Sequence, residues 1–346
     1  MRPCSKPLED IGFYTLSDAR AAQVSGRSPL WRCEMLLTHR CNFNCPYCRG
    51  MRADCRGDLP LHFAAWTLQH WIQEGLKNVR FSGGEPTLYD GLRDLVRMAA
   101  AGDVERIAVS TNGSSSPEYY HQLLNDGVND FSISLDGCCA ADVERMGGIS
   151  RSLGNRVLNN IRWLAKKTYV TVGVVLAQQN ASQVADIVRF ADGLGVADIR
   201  IITAAQDDGL PLRLAEIPED VLGRHPILRY RVENLKAGRP LRGIGLGDCE
   251  RCHLAKDDMA VAGRWHFPCI IYLREGGDPI GEVGPDMRRE RVEWSERTNR
   301  KEDPICSKNC LDVCVAYNNR VRDLINPSSP WSSHPASSSP PRRRRP

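Results

Sequence analysis

Three cysteines within eight positions, Cys41, Cys45 and Cys48, are the residues with the clearest chemical potential in this sequence. The residues between them form a loop that can direct three thiolates at one small volume. A cluster of four irons is normally held by four thiolates, so three would leave one iron open for a ligand that is not protein. This arrangement favours catalysis over a purely structural role. A zinc knuckle is the alternative, because Cys33 or Cys55 could supply a fourth thiolate.

Length and charge limit the class of protein to which this loop can belong. Disulfide frameworks are typical of small secreted domains, whereas this chain has 346 residues and no apolar secretion signal at its start. No apolar run approaches a membrane span, so we expect a cytoplasmic protein that does not bind membranes. The net charge of +4 matches Arg342–Arg345 alone, which leaves 42 basic against 42 acidic residues and disfavours nucleic-acid binding.

A second motif, Gly83-Gly84-Glu85-Pro86, follows a predicted buried strand at Lys77–Ser82. Paired glycines allow a ligand to approach the backbone closely. In a barrel of parallel strands, active sites lie at the carboxyl ends of the strands. One strand–helix unit separates this motif from the cysteine loop, so we expect the two to form one site.

Together with Leu37-Thr38, the cysteine loop and the Gly-Gly-Glu-Pro motif resemble the radical S-adenosylmethionine (SAM) superfamily over about residues 30–205. The resemblance implies that Cys41, Cys45 and Cys48 hold a [4Fe–4S] cluster whose open iron is chelated by SAM. It also implies that the backbone of Gly83, Gly84 and Glu85 receives the SAM amino group. Tyr47, before the third cysteine, would lie near the adenine. The activity implied is reductive cleavage of SAM to methionine and a 5′-deoxyadenosyl radical that abstracts hydrogen from a substrate, with an electron donor such as flavodoxin or ferredoxin.

The elements that must position these motifs alternate between strand and helix. Six strand–helix repeats imply parallel strands joined by right-handed crossovers. We therefore predict an α/β fold with a partial (β/α)6 barrel, which is also the usual core of the superfamily. The predicted strands are Cys33–Thr38, Lys77–Ser82, Glu105–Thr111, Val128–Leu135, Val170–Leu176 and Ala197–Thr203, and the predicted helices are Phe63–Gly75, Pro117–Gly127, Arg156–Lys166 and Ser182–Leu194.

Polar residues follow several predicted strands. Asn112 and Ser134 resemble the superfamily's contacts to SAM, and Asp136, Gln179 and Asn180 are weaker candidates. Ordinary turn chemistry is the alternative, because Asn-Gly and Asp-Gly are strong turn dipeptides. No catalytic residue can be assigned from the sequence.

The C-terminal region contains six further cysteines, and a metal site is the default for cysteines that do not form disulfides. A hairpin over Met259–Cys269 and a helical run over Cys306–Cys314, with thiolates four residues apart on one face, resemble the SPASM and twitch extensions of radical SAM enzymes. The hairpin has one residue more than usual between its glycine and its cysteine. We predict one auxiliary [4Fe–4S] cluster with zinc as the alternative, in which Cys249 is spare or replaces one ligand. The four ligands would come from Cys252, Cys269, Cys306, Cys310 and Cys314. Cys138 and Cys139 are expected to be bystanders.

These regions predict a domain order. We expect an N-terminal extension over residues 1–29, a radical SAM core over 30–205, a linker over 206–245 and an auxiliary-cluster domain over 246–325. The last residues, 326–346, are rich in Ser, Pro and Arg and are predicted to be a disordered tail.

The substrate is the least constrained part of the prediction. About thirty residues before the first strand are too few for a leader-binding winged-helix domain, so we expect a small polar metabolite. The main hypothesis is a lyase or oxidoreductase that decarboxylates, dehydrogenates or epimerises a sugar or nucleoside-sugar in antibiotic biosynthesis, specifically decarboxylation of a cytosylglucuronate. Arg200 and Arg274 are candidates for binding a carboxylate. The alternatives are a peptide- or protein-maturing enzyme, through side-chain oxidation or thioether formation, and a non-catalytic iron–sulfur redox or assembly protein.

Overall fold

A computed structural model of the chain describes residues 18–207, 210 and 214–326. Its centre is a nine-stranded sheet in the order β6-β5-β4-β3-β2-β1-β7-β8-β9. Strands β1 to β6 all run parallel, and β1 also pairs with β7 in parallel. The strands are β1 Arg32–Thr38, β2 Asn78–Gly83, β3 Arg106–Thr111, β4 Asp130–Ser134, β5 Tyr169–Leu176, β6 Asp198–Thr203, β7 Asp258–Ala262, β8 Trp265–Phe267 and β9 Gly281–Glu282.

The predicted α/β fold is confirmed, and the six predicted core strands all form. Within the described residues β6 does not pair with β1, so the six-stranded core stays an open, partial barrel. The antiparallel strands β8 and β9 belong to the C-terminal region and extend the same sheet beyond β7.

Helices cover the outer face of the core sheet. The apolar side chains of α2 pack with the outward side chains of β1 and β2 in one hydrophobic core. Of the four predicted helices, α6 begins five residues earlier than expected, because the Ser150 hydroxyl accepts a hydrogen bond from the Leu153 amide and caps it there. None of the described helices is long and apolar enough to span a membrane. The helices are α1 Asp18–Gln23, α2 Leu61–Gln73, α3 Leu92–Ala101, α4 Pro117–Asp126, α5 Ala140–Gly147, α6 Arg151–Ala165, α7 Val184–Gly193, α8 Glu219–Arg224, α9 Pro226–Lys236, α10 Ile270–Arg274, α11 Met287–Arg297, α12 Cys306–Asn309 and α13 Asp312–Ile325.

The two faces of each core strand differ in chemistry. In β5 the side chains of Val170, Val172 and Val174 enter the hydrophobic core. The alternate residues Thr171 and Gly173 point to the inner face, as the two-residue period of a strand requires. The corresponding inner positions of the other strands are largely polar, which leaves the inside of the barrel available for a polar ligand. These inner residues include Glu34, Arg80, Ser82, Ser110, Ser132, Ser134 and Arg200.

The C-terminal region is joined to the core by buried ion pairs as well as by the shared sheet. Arg20 of α1 reaches Asp257 and Asp258 at the start of β7, and Arg32 of β1 also pairs with Asp258. The predicted linker contains the helices α8 and α9, and a buried ion pair between Arg231 and Asp312 connects α9 to α13. The predicted tail lies outside the described residues, apart from Asn326.

Candidate active site

The cysteine loop leaves β1 and follows the open rim of the barrel. Cys41 and Cys48 are exposed, and Cys45 is half-buried. A hydrogen bond of 3.0 Å from the Cys48 amide to the Cys45 carbonyl forms a tight turn between two of the thiols. The Asn44 amide donates to the carbonyl of Gly147 at the end of α5, which anchors the loop to the opposite wall.

The three thiols lie close enough to affect one another electrostatically. Burial, the carboxylate of Asp136 and the neighbouring Cys48 and Cys41 together raise the pKa of Cys45 to about 12. Two backbone amides point at the outer sulfurs, from Phe43 to Cys41 at 3.5 Å and from Gly50 to Cys48 at 3.4 Å. Amide donors around a set of thiolates are typical of iron–sulfur sites, where they stabilise the charge on sulfur. The donor set of this loop therefore fits a [4Fe–4S] cluster.

The two glycines after β2 pack directly against the start of the cysteine loop. The Gly84 amide donates to the Thr38 carbonyl and the Glu85 amide to the Arg40 carbonyl, both at 2.7 Å. A Cβ at Gly83 would lie 2.4 Å from the Thr38 oxygen, and a Cβ at Gly84 would lie 2.2 Å from the Arg40 oxygen. Gly83 also has a φ of +145°, which disfavours other residues. Only glycine lets these two segments meet beside the three cysteines.

Glu85 has a buried carboxylate that faces away from this cleft. One oxygen accepts hydrogen bonds from the Thr87 amide and from the hydroxyls of Thr87 and Thr111, and the other accepts from the Asn112 amide at 2.7 Å. Burial raises the pKa of Glu85, and these four donors oppose that shift. The side chain therefore fixes the end of β2 to the end of β3, and a contact with SAM would have to come from the Glu85 backbone.

Asn112 lies between β3 and the cysteine loop. Its amide group donates to the Asn42 side chain at 2.8 Å and lies 3.9 Å from the Cys41 sulfur. The Ser114 amide in turn donates to the Asn112 side chain, which fixes its orientation. The structure thus brings Asn112 next to the candidate cluster ligands.

Tyr47 and Asp136 meet at the far wall of the cleft, where the Tyr47 hydroxyl donates to the Asp136 carboxylate. The Val175 amide donates to the other carboxylate oxygen at 2.7 Å. Burial raises the pKa of Asp136 to about 6, and the two hydrogen bonds oppose the shift. Asn180, one of the weaker candidates, is fully buried and donates to the Asp136 carbonyl, so it supports this wall rather than facing the cleft.

These elements enclose a cleft of ≈ 280 Å³ at the carboxyl ends of the core strands. All three N-terminal cysteines, both glycines, Tyr47, Asn112 and Ser134 line it. The sequence did not identify Glu34 or Phe43 as part of this site, although both line the same cleft. Arg274, a candidate from the sequence for binding a substrate carboxylate, lines it too, but no local pattern could show that a C-terminal helix returns to the cysteine loop.

Arg274 connects the C-terminal region to this cleft. Its guanidinium donates to the Gly83 carbonyl at 2.9 Å and to the Gly50 carbonyl at 3.2 Å. The next residue, Glu275, forms an ion pair with Arg49 of the cysteine loop. Cys269 caps the start of α10 and Arg274 ends it, so this short helix joins the two cysteine-rich regions.

Five of the six C-terminal cysteines face one another. Burial raises the pKa of Cys306, with further contributions from Cys252, Cys269 and Cys310, and burial likewise raises that of Cys314 to about 11 with a contribution from Cys310. Arg300 lies inside this group, where its guanidinium donates to the Cys310 sulfur at 2.9 Å. A cation that contacts a thiolate stabilises a cluster with several anionic ligands.

Cys249 lies apart from these five cysteines. Its thiol donates to the Arg251 carbonyl, and the charges that act on it come from Arg300, Arg322 and Glu250. This placement supports the proposal that Cys249 is the spare cysteine.

One expectation about this region is wrong. Cys306–Cys314 does not form one continuous helical run, because α12 ends at Asn309 and Cys310 has extended backbone angles before α13 begins at Asp312. The neighbouring Leu311 instead forms an isolated β-bridge with Arg242. Cys306 therefore lies on α12, Cys314 on α13 and Cys310 between them, so the three thiols do not lie along one face of one helix.

The separation of these sulfurs also bears on zinc. A tetrahedral zinc ion with Zn–S bonds of about 2.3 Å holds its thiolates roughly 3.8 Å apart. Within the described residues, none of the C-terminal cysteines belongs to a group of three metal-binding atoms within 4.8 Å of one another. In every set of three of these sulfurs at least one pair therefore lies more than 4.8 Å apart, and a single zinc ion would require the thiols to move closer together.

Comparison with known proteins agrees with this geometry. Residues 35–191 match the sequence model of the Radical SAM superfamily. The chain is 33% identical to GTP 3′,8-cyclase of Synechococcus sp. (strain CC9902), over 58% of this chain and 59% of that protein. It is 27% identical to PqqA peptide cyclase of Gluconobacter oxydans (strain 621H), over 84% of this chain and 92% of that protein. The chain spans between 45% and 59% of the length of three of the curated relatives that it matches, the Synechococcus cyclase among them.

Solved structures show the same fold. Streptococcus suis SuiB bound to S-adenosylmethionine superposes with a TM-score of 0.55 at 15% identity, over 81% of this chain and 67% of that one. The enzyme anSMEcpe with bound AdoMet gives a TM-score of 0.56 at 15% identity, over 86% of this chain and 97% of that one. Both superpositions cover most of the present chain.

Proposed function

We propose that this protein, whose residues 35–191 match the sequence model of the Radical SAM superfamily, is an enzyme that cleaves SAM reductively and modifies a side chain of a peptide or protein. The predicted cofactors, a [4Fe–4S] cluster and SAM, are confirmed by the family match, and the cysteine-rich C-terminal region fits an auxiliary cluster. The cluster and SAM together supply a carbon-centred radical that removes a hydrogen atom from the substrate.

The observation that carries the peptide assignment is the share of this chain that each relative matches. The match to PqqA peptide cyclase of Gluconobacter oxydans covers 84% of this chain, whereas the match to the Synechococcus GTP 3′,8-cyclase covers 58%. SuiB has also been solved with its precursor peptide SuiA, and anSMEcpe with a peptide. The sugar or nucleoside-sugar substrate expected from the sequence finds no support in these relatives, and the peptide alternative fits them better.

Different residues of this chain would hold the cluster, receive SAM and orient it. Cys41, Cys45 and Cys48 would hold the cluster, and the backbone at Gly83 and Gly84 would receive SAM in the space that a Cβ would otherwise fill. Tyr47, Asn112 and Ser134 line the walls of the same cleft and would orient SAM from the side. The substrate would then enter from the open end of the barrel.

Arg200 is the residue of the inner face that we assign to substrate binding. It lies opposite Gly173 in the register of β5 and β6, and its guanidinium would be 3.3 Å from a Cβ at that glycine. Its Nε is buried and has no hydrogen-bond partner among the described residues. Arg200 is not among the residues that line the cleft, and its charge acts on the buried carboxylate of Asp130. A guanidinium can bind a carboxylate through two parallel hydrogen bonds, so we propose that an acidic group of the substrate passes the cleft and reaches Arg200 on the inner face.

Replacement of Arg200 tests this assignment. Arg200→Ala should raise KM for the substrate about 30-fold, which corresponds to about 2 kcal/mol for a charged hydrogen bond. Formation of 5′-deoxyadenosine without substrate should stay unchanged. Arg200→Lys should recover part of the affinity, and an unchanged KM in both variants would contradict the assignment.

Iron content and SAM cleavage test the proposed function itself. Anaerobically reconstituted protein should contain about eight irons, and the triple alanine variant of Cys41, Cys45 and Cys48 about four, as two [4Fe–4S] clusters require. Wild-type protein should form 5′-deoxyadenosine from SAM and dithionite, and Cys45→Ala should not. Cys55→Ala is the matched control, since Cys55 is buried and does not line the cleft. Full activity in Cys45→Ala would overturn the cluster assignment, and no 5′-deoxyadenosine from wild-type protein would favour the non-catalytic alternative.

A nucleotide substrate is the second candidate, because the core also resembles GTP 3′,8-cyclases at up to 33% identity in the relatives described above. The reconstituted enzyme should be incubated in parallel with GTP and with short peptides encoded beside its gene. Loss of two hydrogen atoms from a peptide, dependent on SAM, supports peptide maturation. Conversion of GTP with every peptide unchanged would replace that proposal by the nucleotide one.

A further inference from the structure

A compact group of metal-binding side chains lies at the start of α5, outside both cysteine sites described above. The ligand atoms of Cys138, Cys139 and Asp142 all lie within 4.8 Å of one another. Both thiols donate to the same carboxylate oxygen, Oδ2 of Asp142, at 3.0 Å from Cys138 and 3.6 Å from Cys139. Two sulfurs and one oxygen therefore already converge on a single point.

The 3.6 Å from the Cys139 sulfur to Oδ2 of Asp142 matches the ligand spacing around a tetrahedral ion, and the 3.0 Å from the Cys138 sulfur is shorter and would lengthen on binding. Zn–S bonds of about 2.3 Å and a Zn–O bond of about 2.1 Å place sulfur and oxygen ligands roughly 3.6 Å apart. A zinc ion would replace the two thiol protons between these atoms, which are released when cysteine binds metal. Three protein ligands would leave a fourth position open, and the exposure of Cys139 gives an ion access to the group.

The surroundings hold these ligands in place. Arg145 forms an ion pair of 2.8 Å with the other oxygen of Asp142, which orients the carboxylate and leaves Oδ2 free for an ion. The charge also balances, because two thiolates, one carboxylate, a divalent cation and one guanidinium sum to zero. A Cβ at Gly137 would lie 2.5 Å from the Cβ of Asp142, so only glycine lets the loop fold this closely onto the first turn of α5.

We propose that Cys138, Cys139 and Asp142 form a zinc-binding site that fixes the loop between β4 and α5. This loop begins beside Asp136, the partner of Tyr47, and Val143, Met146 and Gly147 of α5 line the cleft. Zinc would thus hold one wall of the cleft without taking part in the reaction. The site does not depend on the proposed function, since its ligands belong to neither cluster site.

Zinc stoichiometry tests the proposal in protein that carries its full iron content, so that zinc cannot occupy empty cluster sites. After anaerobic incubation with zinc sulfate and removal of unbound metal, wild-type protein should retain about one zinc per chain by elemental analysis. Cys138→Ser/Cys139→Ser should retain almost none, with unchanged iron. Asp142→Asn should bind zinc at least about 10- to 100-fold more weakly, because that is already the loss typical for changing a partner of a ligand and Asp142 would be a ligand itself.

Asp186→Asn is the matched control, because Asp186 is exposed and pairs with an arginine three residues later, as Asp142 does. It should bind zinc like the wild type. X-ray absorption at the zinc edge should show two sulfur ligands at about 2.3 Å. Equal zinc retention in the wild type and the double serine variant would overturn the proposal. So would a zinc spectrum without sulfur, or a disulfide between Cys138 and Cys139 in the reduced, zinc-treated protein.

Discussion

At the scale of single residues, the two glycines of the cleft are the residues whose replacement should most directly affect SAM binding. A methyl group at Gly84 would lie 2.2 Å from the Arg40 carbonyl, and Arg40 immediately precedes Cys41. The backbone can accept such a group only if the two segments move apart, at a cost of about 1–3 kcal/mol. The distance between the glycine backbone and the cysteine loop would then change.

Gly84→Ala should therefore weaken SAM binding to cluster-loaded protein about 10- to 100-fold, the equivalent of that energy. Equilibrium titration with SAM measures this effect. Gly193→Ala is the control, because a Cβ at Gly193 meets no atom within 4 Å. SAM affinity equal to that of the wild type in Gly84→Ala would show that the tight approach does not shape the binding site.

Arg300 is the residue whose replacement should most directly affect the auxiliary cluster. It is fully buried and contacts the Cys310 sulfur at 2.9 Å, with a second donor on the Cys249 carbonyl. A reduced cluster carries one more negative charge than an oxidised cluster, so a neighbouring cation stabilises the reduced state. Charge and hydrogen bonds to the ligand sulfurs are among the main factors that set the potential of such clusters.

Arg300→Gln should lower the reduction potential of the auxiliary cluster by on the order of 60 mV, a tenfold change in a one-electron equilibrium. A redox titration followed by electron paramagnetic resonance measures the shift. Arg297→Gln removes an exposed arginine from the end of α11 and should leave the potential unchanged. A potential that does not move in Arg300→Gln would place the cluster away from Cys310.

The sequence places the cysteines and glycines that line the cleft, but not the orientation of the carboxylates around it. Spacing alone places Cys41, Cys45 and Cys48 together, because a short loop can bring them to one volume. Glu85 and Asp136 follow strand ends in the same way, yet only Asp136 lines the cleft. The direction of a side chain beyond a strand end depends on the turn that follows, and that turn is set by contacts with distant segments.

At the scale of elements, a helix of the predicted linker, α9, is capped by a carboxylate from a distant strand. The buried carboxylate of Asp198 at the start of β6 accepts hydrogen bonds from the Ile227 and Leu228 amides in the first turn of α9, and from its neighbour Ile199. These amides have no partner within the helix. Burial nevertheless raises the pKa of Asp198 to about 7, with the amides opposing the shift.

This shift predicts a pH-dependent stability. An unfolded aspartate loses its proton near pH 4, whereas Asp198 in the folded protein loses it near pH 7. Between these values the unfolded state binds fewer protons, so the free energy of unfolding should fall as the pH rises from 4 to 7. The contribution is on the order of 2–4 kcal/mol.

Guanidinium unfolding of the wild type and Asp198→Asn at pH 5 and pH 8 measures this contribution. The stability advantage of the wild type over the variant should be larger at pH 5 than at pH 8. Asp94→Asn, at an exposed position in α3, should show a constant difference from the wild type. A constant difference for Asp198→Asn as well would mean that its carboxylate keeps an ordinary pKa in the fold.

The helices of this region were missed because their sequences carry weak signals. α9 begins with a proline and draws its capping from Asp198, a residue of a distant strand. The break between α12 and α13 was missed for a similar reason, since the cysteine spacing of four suits a helix and the interruption comes from pairing with Arg242. Local sequence patterns predict the core strands reliably because their apolar runs are long. They predict secondary structure less well where contacts between distant residues determine where a helix begins or ends.

At the scale of the whole molecule, the two cysteine sites belong to one connected structure. β7 of the C-terminal region pairs with β1, the strand that leads into the cysteine loop. α10 spans five residues from Ile270 to Arg274, about 7.5 Å of helix, and begins directly after the candidate ligand Cys269. We therefore expect a change at the auxiliary site to reach the cleft through α10, and Arg274 is the contact at its end.

Loss of this contact should separate cluster assembly from SAM cleavage. In Arg274→Ala the carbonyls of Gly83 and Gly50 lose their shared donor, and each lost bond from a charged group costs about 1.5–3 kcal/mol. We expect about eight irons to remain, while 5′-deoxyadenosine formation falls about tenfold with a higher KM for SAM. Arg274→Lys should restore part of the rate because an ammonium can reach one carbonyl but not hold both in a fixed plane.

Arg264→Ala provides the comparison, since Arg264 lies at the turn between β7 and β8 with its side chain 66% exposed, where it pairs with surface Glu282 and lies over the Trp265 ring. Its rate and its iron content should match those of the wild type. If Arg274→Ala lost the auxiliary irons as well, the arginine would act on the folding of the C-terminal region. If both the rate and the KM for SAM were unchanged, α10 would not transmit the state of the auxiliary site to the cleft, and the two cysteine sites would share a sheet without sharing a function.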